Sequence, residues 1–381
     1  MKWIADQQSF DEAMERVAGE KILAIDTEAD SLHSYFDKVC LIQMTADGQD
    51  LVVDPLSGIN LRRFGDVLAD PNVTKILHGG DYDLRILHRD FGYTVHNLID
   101  TMIAAQLLGY EAFGLAALLE RHFGVKLNKA HQRADWAMRP LTPEMLDYAS
   151  MDTRYLVALA AKLREELTVL GRWEWALEEF SRLENVRYRE TDEDAEPFRK
   201  LKSIGNLDRR QLAILRDLHG WRDGLARAAD RPPFKIIGND TIIEIARAKP
   251  KSREELAAVK TMSRYHLDRY GRDLLGIVRK ALELPEDQLP ERGEPKMWIR
   301  DKALEARIEK LKKVRDKVAA ELKVDVSVVA PRHVLTAVAT LQPTTVADFD
   351  QIPAMREWQK KLLAQALLDA LKPPPANGKL F

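Results

Sequence analysis

ILAIDTEAD, residues 22–30, opens with four apolar residues and then places Asp26, Glu28 and Asp30 at strict two-residue spacing. Strand side chains alternate between faces, so this pattern predicts a buried strand whose end carries three carboxylates on one side. Like charges held that close are unfavourable unless a cation or a solvated rim relieves them. The strand end is therefore either polar surface or part of a metal site, and the metal reading requires more oxygen donors elsewhere in the chain.

Around this stretch, KILAIDTEA, VCLIQMTA and QDLVVDP read as consecutive strands, an antiparallel meander with Asp47-Gly48 as the hairpin turn between the last two. A helix over LRRFGDVLAD follows, then the short apolar stretch VTKILHGG, then helical periodicity in YDLRILHRDFG and IDTMIAAQLLGY. PEMLDYASMDTRYLVALAAKLREELTVLG reads as one long amphipathic helix, capped by Thr142 and with Pro143 in its first turn. The acidic ETDEDAEPFR reads as an exposed linker, and helices dominate beyond it.

That helical part repeats itself at a constant offset of 93 residues: Arg222-Asp223 meets Arg315-Asp316, Ile242 meets Leu335, Pro250 meets Pro343 and Met262 meets Met355. The expected organisation is an α/β domain at 1–190, a linker at 191–205, helical modules at 206–285 and 298–373, and a tail at 374–381.

The chain has 381 residues and a net charge of −2, but the charge is unevenly placed. Residues 1–200 hold 23 Lys+Arg against 35 Asp+Glu, whereas 201–280 hold 18 against 10. An acidic part joined to a basic one suits a polyanion held by the second and processed by the first. There is a single cysteine, Cys40, in apolar surroundings, so internal disulfides and cysteine-cluster zinc sites are excluded. No apolar run reaches membrane-spanning length and no signal peptide is evident, so a soluble, cytoplasmic protein without a membrane partner is expected.

Further oxygen donors are present. Asp83 follows the Gly79-Gly80 break and begins an apolar helical pattern, with Asp81 as the alternative two residues earlier. Tyr148 and Asp152, four apart, share one helix face. Asp-x-Glu at a strand end alone reads as solvated polar surface and Tyr-x-x-x-Asp alone as a core tyrosine with an exposed acid; the set, in this order, is what carries specificity.

Asp-Thr-Glu on the first strand, an Asp after the third apolar strand and Tyr-x-x-x-Asp on a late helix resemble the three exonuclease motifs of the DEDD superfamily, tyrosine subclass, and the ribonuclease D family in particular. The resemblance covers the whole chain, its repeated modules being similar to tandem HRDC domains. It implies an α/β ribonuclease H-like exonuclease domain, a mixed sheet flanked by helices, followed by two all-α HRDC-type domains. It further implies that Asp26, Glu28, Asp83 and Asp152 bind two divalent metal ions, Mg²⁺ or Mn²⁺, and that Tyr148 orients or helps activate water for 3′-5′ hydrolysis to 5′-mononucleotides. The implied substrate is RNA with a single-stranded 3′ end, such as transfer RNA precursors, acted on by a monomer.

For RNA contacts, Lys235, Arg247, Lys249, Lys251 and Arg253 form a basic cluster in the first module, and Gln132, Trp136 and Arg139 lie where they can hold the 3′ end. Trp136 serves equally as core, and Tyr35 and Phe36 are candidate stacking platforms. Asp30 has no partner motif and is expected to be a dispensable surface acid. Rival readings are a DNA-directed exonuclease, a non-catalytic RNA-binding protein and a metal-free hydrolase; the last finds no Ser/His/Asp arrangement to support it.

Overall fold

In the computed structural model of the chain, residues 1–128, 130–189, 196–292 and 301–372 are described. The chain divides into two compact units, one comprising Met1–Glu28, Val39–Tyr188 and Ile299–Phe381, the other Ala29–Lys38 and Arg189–Trp298.

The first unit is built on a six-stranded sheet of β1 (Lys2–Ile4), β2 (Ile22–Ala29), β3 (Val39–Ala46), β4 (Gln49–Val53), β5 (Thr74–Leu77) and β6 (Leu98–Asp100), in the order β1-β4-β3-β2-β5-β6. β3 and β4 are antiparallel, while β1 runs parallel to β4, β2 to β5 and β5 to β6, so the sheet is mixed. Asp47 and Gly48 both take positive φ (47° and 70°), the conformation a two-residue Asp-Gly hairpin requires. β1 and β6, three residues each, are too short for alternation to mark them in the sequence.

Around the sheet lie α1 (Gln7–Val17), α2 (Arg62–Ala69), α3 (Asp81–Phe91), α4 (Thr101–Leu108), α5 (Leu115–Phe123), α6 (Pro143–Arg154), α7 (Leu156–Val169) and α8 (Trp173–Leu183). α3 and α6 both pack against β3, every residue of which is buried. The single long helix expected from 143 onward is instead two. Tyr155 interrupts it (φ −103°, ψ −5°), because α6 packs on β3 and β4 whereas the buried face of α7, Leu156, Leu159, Leu163 and Leu167, turns to α4 and β5. Two surfaces in different directions cannot be covered by one straight rod.

The first helical module comprises α9 (Arg209–Ala228), α10 (Pro233–Ile236), α11 (Asn239–Ala248), α12 (Arg253–Ala257) and α13 (Arg264–Glu283). The second comprises α14 (Lys302–Leu322), α15 (Val326–Val329), α16 (Arg332–Leu341) and α17 (Glu357–Leu371). The 93-residue repeat survives at the atomic level. Arg222 donates to the Ile237 carbonyl at 3.2 Å and its repeat mate Arg315 to the Ala330 carbonyl at 3.5 Å. Lys249 and Gln342, also mates, both end their helices at a φ of 50°. Each module has its own apolar core.

The second module sits on the sheet domain within one unit: Trp175 and Trp358 stack at 4.6 Å, Arg356 pairs with Glu179 at 2.9 Å, and Arg172 donates to the carbonyls of Leu107 and Leu322. Of the expected linker, residues 190–195 lie outside the described residues, as does the tail from 373. Of the remainder, 196–205, every residue but Phe198 is exposed or half-buried, while Phe198 is buried in the first module's core with Leu201 and Ile204 packed beside it.

Candidate active site

β2 buries Leu23, Ala24 and Ile25 completely or nearly so and then delivers Asp26 and Glu28 at the edge of the core. α6 brings the opposing groups. Its position is held by a buried polar clamp: Thr153 Oγ1 lies 2.7 Å from Thr45 Oγ1, and Asp50 accepts from Thr45 at 2.9 Å and from Arg154 Nε at 2.7 Å. Asp152 directly precedes Thr153, so the clamp fixes its direction. Carboxylate oxygens of Asp26, Glu28 and Asp152 come within 4.8 Å of one another. Asp83, in the first turn of α3, is buried and accepts a short hydrogen bond from the Thr27 hydroxyl, while the alternative Asp81 pairs with Arg85 at 2.9 Å.

Asp26, Glu28 and Asp152 line a cavity of about 590 Å³ together with Tyr148 and Gln132, while Asp83 stands beside Thr27 and is not among the lining residues. His131 and Trp136 each place a ring 6.0 Å from that of Tyr148 and brace it. The cavity wall holds groups the sequence reading did not single out: His78, Asn128 and the first turn of α5, Leu115–Ala117 after Gly114. The Gly114 preceding an apolar helical run was the available signal for the last of these.

Confinement of so much negative charge shifts every acid in the cluster. Burial, then Asp152 and Asp83, pushes Glu28 up to about 9. Burial raises Asp152 to about 7 and Asp83 to about 6, the Thr27 hydrogen bond opposing the rise at Asp83. Asp26 is raised too, by burial and by its three acidic neighbours, and the Tyr148 hydroxyl is pushed far above its ordinary value by burial and by Asp152, Glu28 and Asp26. Hard oxygen donors packed this closely, with no lysine or arginine among the described residues that line their cavity, are the donor set that Mg²⁺ or Mn²⁺ takes.

Other expectations are corrected. Arg139 spends its guanidinium on Asp54 (2.6 and 2.8 Å) and on the carbonyls of Cys40, Trp136 and Met138, so it pins a loop and is not available to RNA. Trp136 takes the core role that the sequence had left open to it, packed with Cys40, Leu41 and Met145. Asp30 is wholly buried, not a surface acid: the turn after β2 folds over it, and its carboxylate accepts from Ser34 Oγ and from both the backbone and the ammonium of Lys38. Burial alone would raise its pKa; the Lys38 and Ser34 bonds outweigh this and hold it low. Tyr35 is committed to Asp223 at 2.9 Å, while Phe36 stays exposed. In the basic cluster, Lys249 pairs with Asp208, Arg247 with Glu244, Arg253 with Asp268, and Lys235 lies 3.2 Å from His33 Nδ1.

Sheet, carboxylate cluster and helical modules together define a 3′-5′ exonuclease domain joined to HRDC domains, and family models agree: one described as 3′-5′ exonuclease matches residues 1–168, and the HRDC domain matches 211–278 and 305–371. The chain is 36% identical over 274 residues to ribonuclease D of Cronobacter turicensis, covering 71% of this chain and 73% of that one. It is 31% identical to ribonuclease D of Escherichia coli over 368 residues, 95% of this chain and 96% of that one. The crystal structure of the Escherichia coli protein, described as an exoribonuclease involved in structured RNA processing, aligns over 97% of this chain and 98% of that one with a TM-score of 0.70 and 28% identity. The chain belongs to the ribonuclease D family and is a 3′-5′ exoribonuclease.

Proposed function

We propose that the protein shortens structured RNAs with single-stranded 3′ ends, transfer RNA precursors foremost, one nucleotide at a time by two-metal hydrolysis that releases 5′-mononucleotides. The observation that carries this is the convergence of Asp26, Glu28 and Asp152, from a strand and a distant helix, on one cavity with Tyr148. Asp26, Glu28, Asp83 and Asp152 would hold the ions. Bound there, two divalent cations supply charge that favours deprotonation of the attacking water and stabilises the leaving 3′ oxygen. Tyr148, its hydroxyl kept protonated, orients that water as a hydrogen-bond partner and not as a base. Gln132 contacts the terminal nucleotide.

Phosphate contacts beyond the site belong to the first module, but on a different face from most of the cluster expected. Lys251, Arg272 and Arg279 border a groove of about 1000 Å³, and none of the three side chains has a hydrogen-bond or ion-pair partner among the described residues. Unpaired cations are the ones free to neutralise phosphate. The same reading assigns catalysis to 1–190 and RNA holding to 206–285, with 298–373 as a scaffold, and has the protein act as a cytoplasmic monomer; no helix among the described residues is long and apolar enough to cross a membrane.

The test is a 3′-extended transfer RNA precursor and a matched DNA incubated with Mg²⁺, Mn²⁺ or chelator, using the wild type and Asp152→Asn. Stepwise loss from the RNA 3′ end that requires metal and falls about 10³-fold in the variant is expected, since a lost metal ligand forfeits several kcal/mol of charge stabilisation. Intact RNA in Mg²⁺, or undiminished cleavage by Asp152→Asn, refutes the reading.

A further inference from the structure

His78 stands just after β5 and lines the same cavity as Asp26, Glu28, Tyr148 and Asp152. Its Nδ1 lies 2.9 Å from the Thr101 hydroxyl, which donates to the Leu77 carbonyl at 3.0 Å. A threonine hydroxyl has one proton. With that proton spent on Leu77, the hydroxyl offers His78 only lone pairs, so Nδ1 must carry the ring hydrogen. Burial lowers the imidazole's pKa against the pull of Asp100, keeping the ring neutral. The Asp100 carboxylate is itself occupied by the N–H groups of Gly80, Met102 and Ile103. Nε2 is then a bare acceptor. It forms no hydrogen bond among the described residues and is not sealed from solvent, so it faces the cavity.

An acceptor at this point cannot bind phosphate oxygens, which are acceptors as well. An exonuclease working through any 3′ end meets four different bases, so a constant partner must be a donor that every nucleotide carries. The ribose hydroxyls are those donors. We propose that His78 is a positioning residue whose Nε2 accepts a hydrogen bond from a hydroxyl of the 3′-terminal ribose, and that Thr101 is the group that fixes its tautomer. This rests on the cavity being the active site. If the hydroxyl is the 2′ one, His78 also contributes to the choice of RNA over DNA.

The experiment measures kcat/KM for RNAs ending in an ordinary, a 2′-deoxy or a 3′-deoxy nucleotide, with the wild type, His78→Ala and Thr101→Val. Loss of one such hydrogen bond costs about tenfold. The expected result is that one deoxy end costs the wild type about that factor, that His78→Ala loses the same factor on ordinary RNA, and that the variant shows no further loss on that deoxy end. Which deoxy end behaves so identifies the hydroxyl. Thr101→Val, which retains the ring, should shrink the same preference. Ratios between substrates within one variant do not depend on how much of it is folded. If His78→Ala and Thr101→Val discriminate between the three ends as strongly as the wild type does, the proposal is overturned; a wild type inactive on ordinary RNA overturns the active-site reading beneath it.

Discussion

Tyr148 shows how far a single residue's role depends on its neighbours. On an exposed helix it is an ordinary phenol; beside Asp26, Glu28 and Asp152 its ionisation is suppressed, so in the proposed mechanism it would serve by position and as a donor. Tyr148→Phe should therefore lower kcat by about 10²-fold while leaving RNA affinity unchanged, and the wild-type pH profile should carry no limb from tyrosinate. Asp30 makes the opposite point. Alternation placed it with Asp26 and Glu28 as an acid without a role, yet it is the anchor of the turn that follows β2. Asp30→Ala strands the groups that donate to it and should destabilise the protein by about 2 kcal/mol in urea unfolding. An unchanged midpoint would restore the original expectation that it is dispensable.

Among elements, β2 and α6 together create a pH response that neither has alone. Their carboxylates, with Asp83, titrate at about 9 for Glu28, about 7 for Asp152 and about 6 for Asp83, all raised by burial from values near ~4 in an unfolded chain. Between those limits this cluster, in chelator, binds more protons in the folded protein than in the unfolded chain, so its contribution to stability is greatest at low pH and is lost as pH rises through this window. Divalent metal needs the deprotonated acids, so its stabilisation grows in the same direction. Urea midpoints at pH 5 and pH 9 should fall in chelator and converge in Mg²⁺; an identical slope with and without the ion counts against these acids as ligands. The motifs on these elements were legible because period-two and period-four spacings survive in sequence. The break at Tyr155 was not, since no proline or glycine marks it and only the two surfaces that α6 and α7 must cover demand it.

At the scale of the whole molecule, the charge asymmetry between residues 1–200 and 201–280 is what led us to propose 206–285 as the RNA-holding part, but it does not name the holding residues. Arg272→Ala with Arg279→Ala should weaken RNA binding uniformly across sequences and reduce the slope of log affinity against log salt by about 1.5, whereas Arg247→Ala should leave the slope nearly unchanged. A binding titration at several salt concentrations decides between them. By itself the sequence determined the order of the elements around the site, the hairpin at Asp47-Gly48, the repeat of the helical modules and the residue types offered for metal, because each rests on short-range spacing or self-similarity. Only the tertiary structure decided which donors are already spent. That Arg139 belongs to Asp54, that Asp30 belongs to Lys38, that Asp83 and not Asp81 meets Thr27, and that His78 turns a bare nitrogen to the cavity are matters of partnership between residues far apart in the chain or across a turn. A side chain's chemistry is written in its type, but its availability is set by whatever folding brings within hydrogen-bond reach of it.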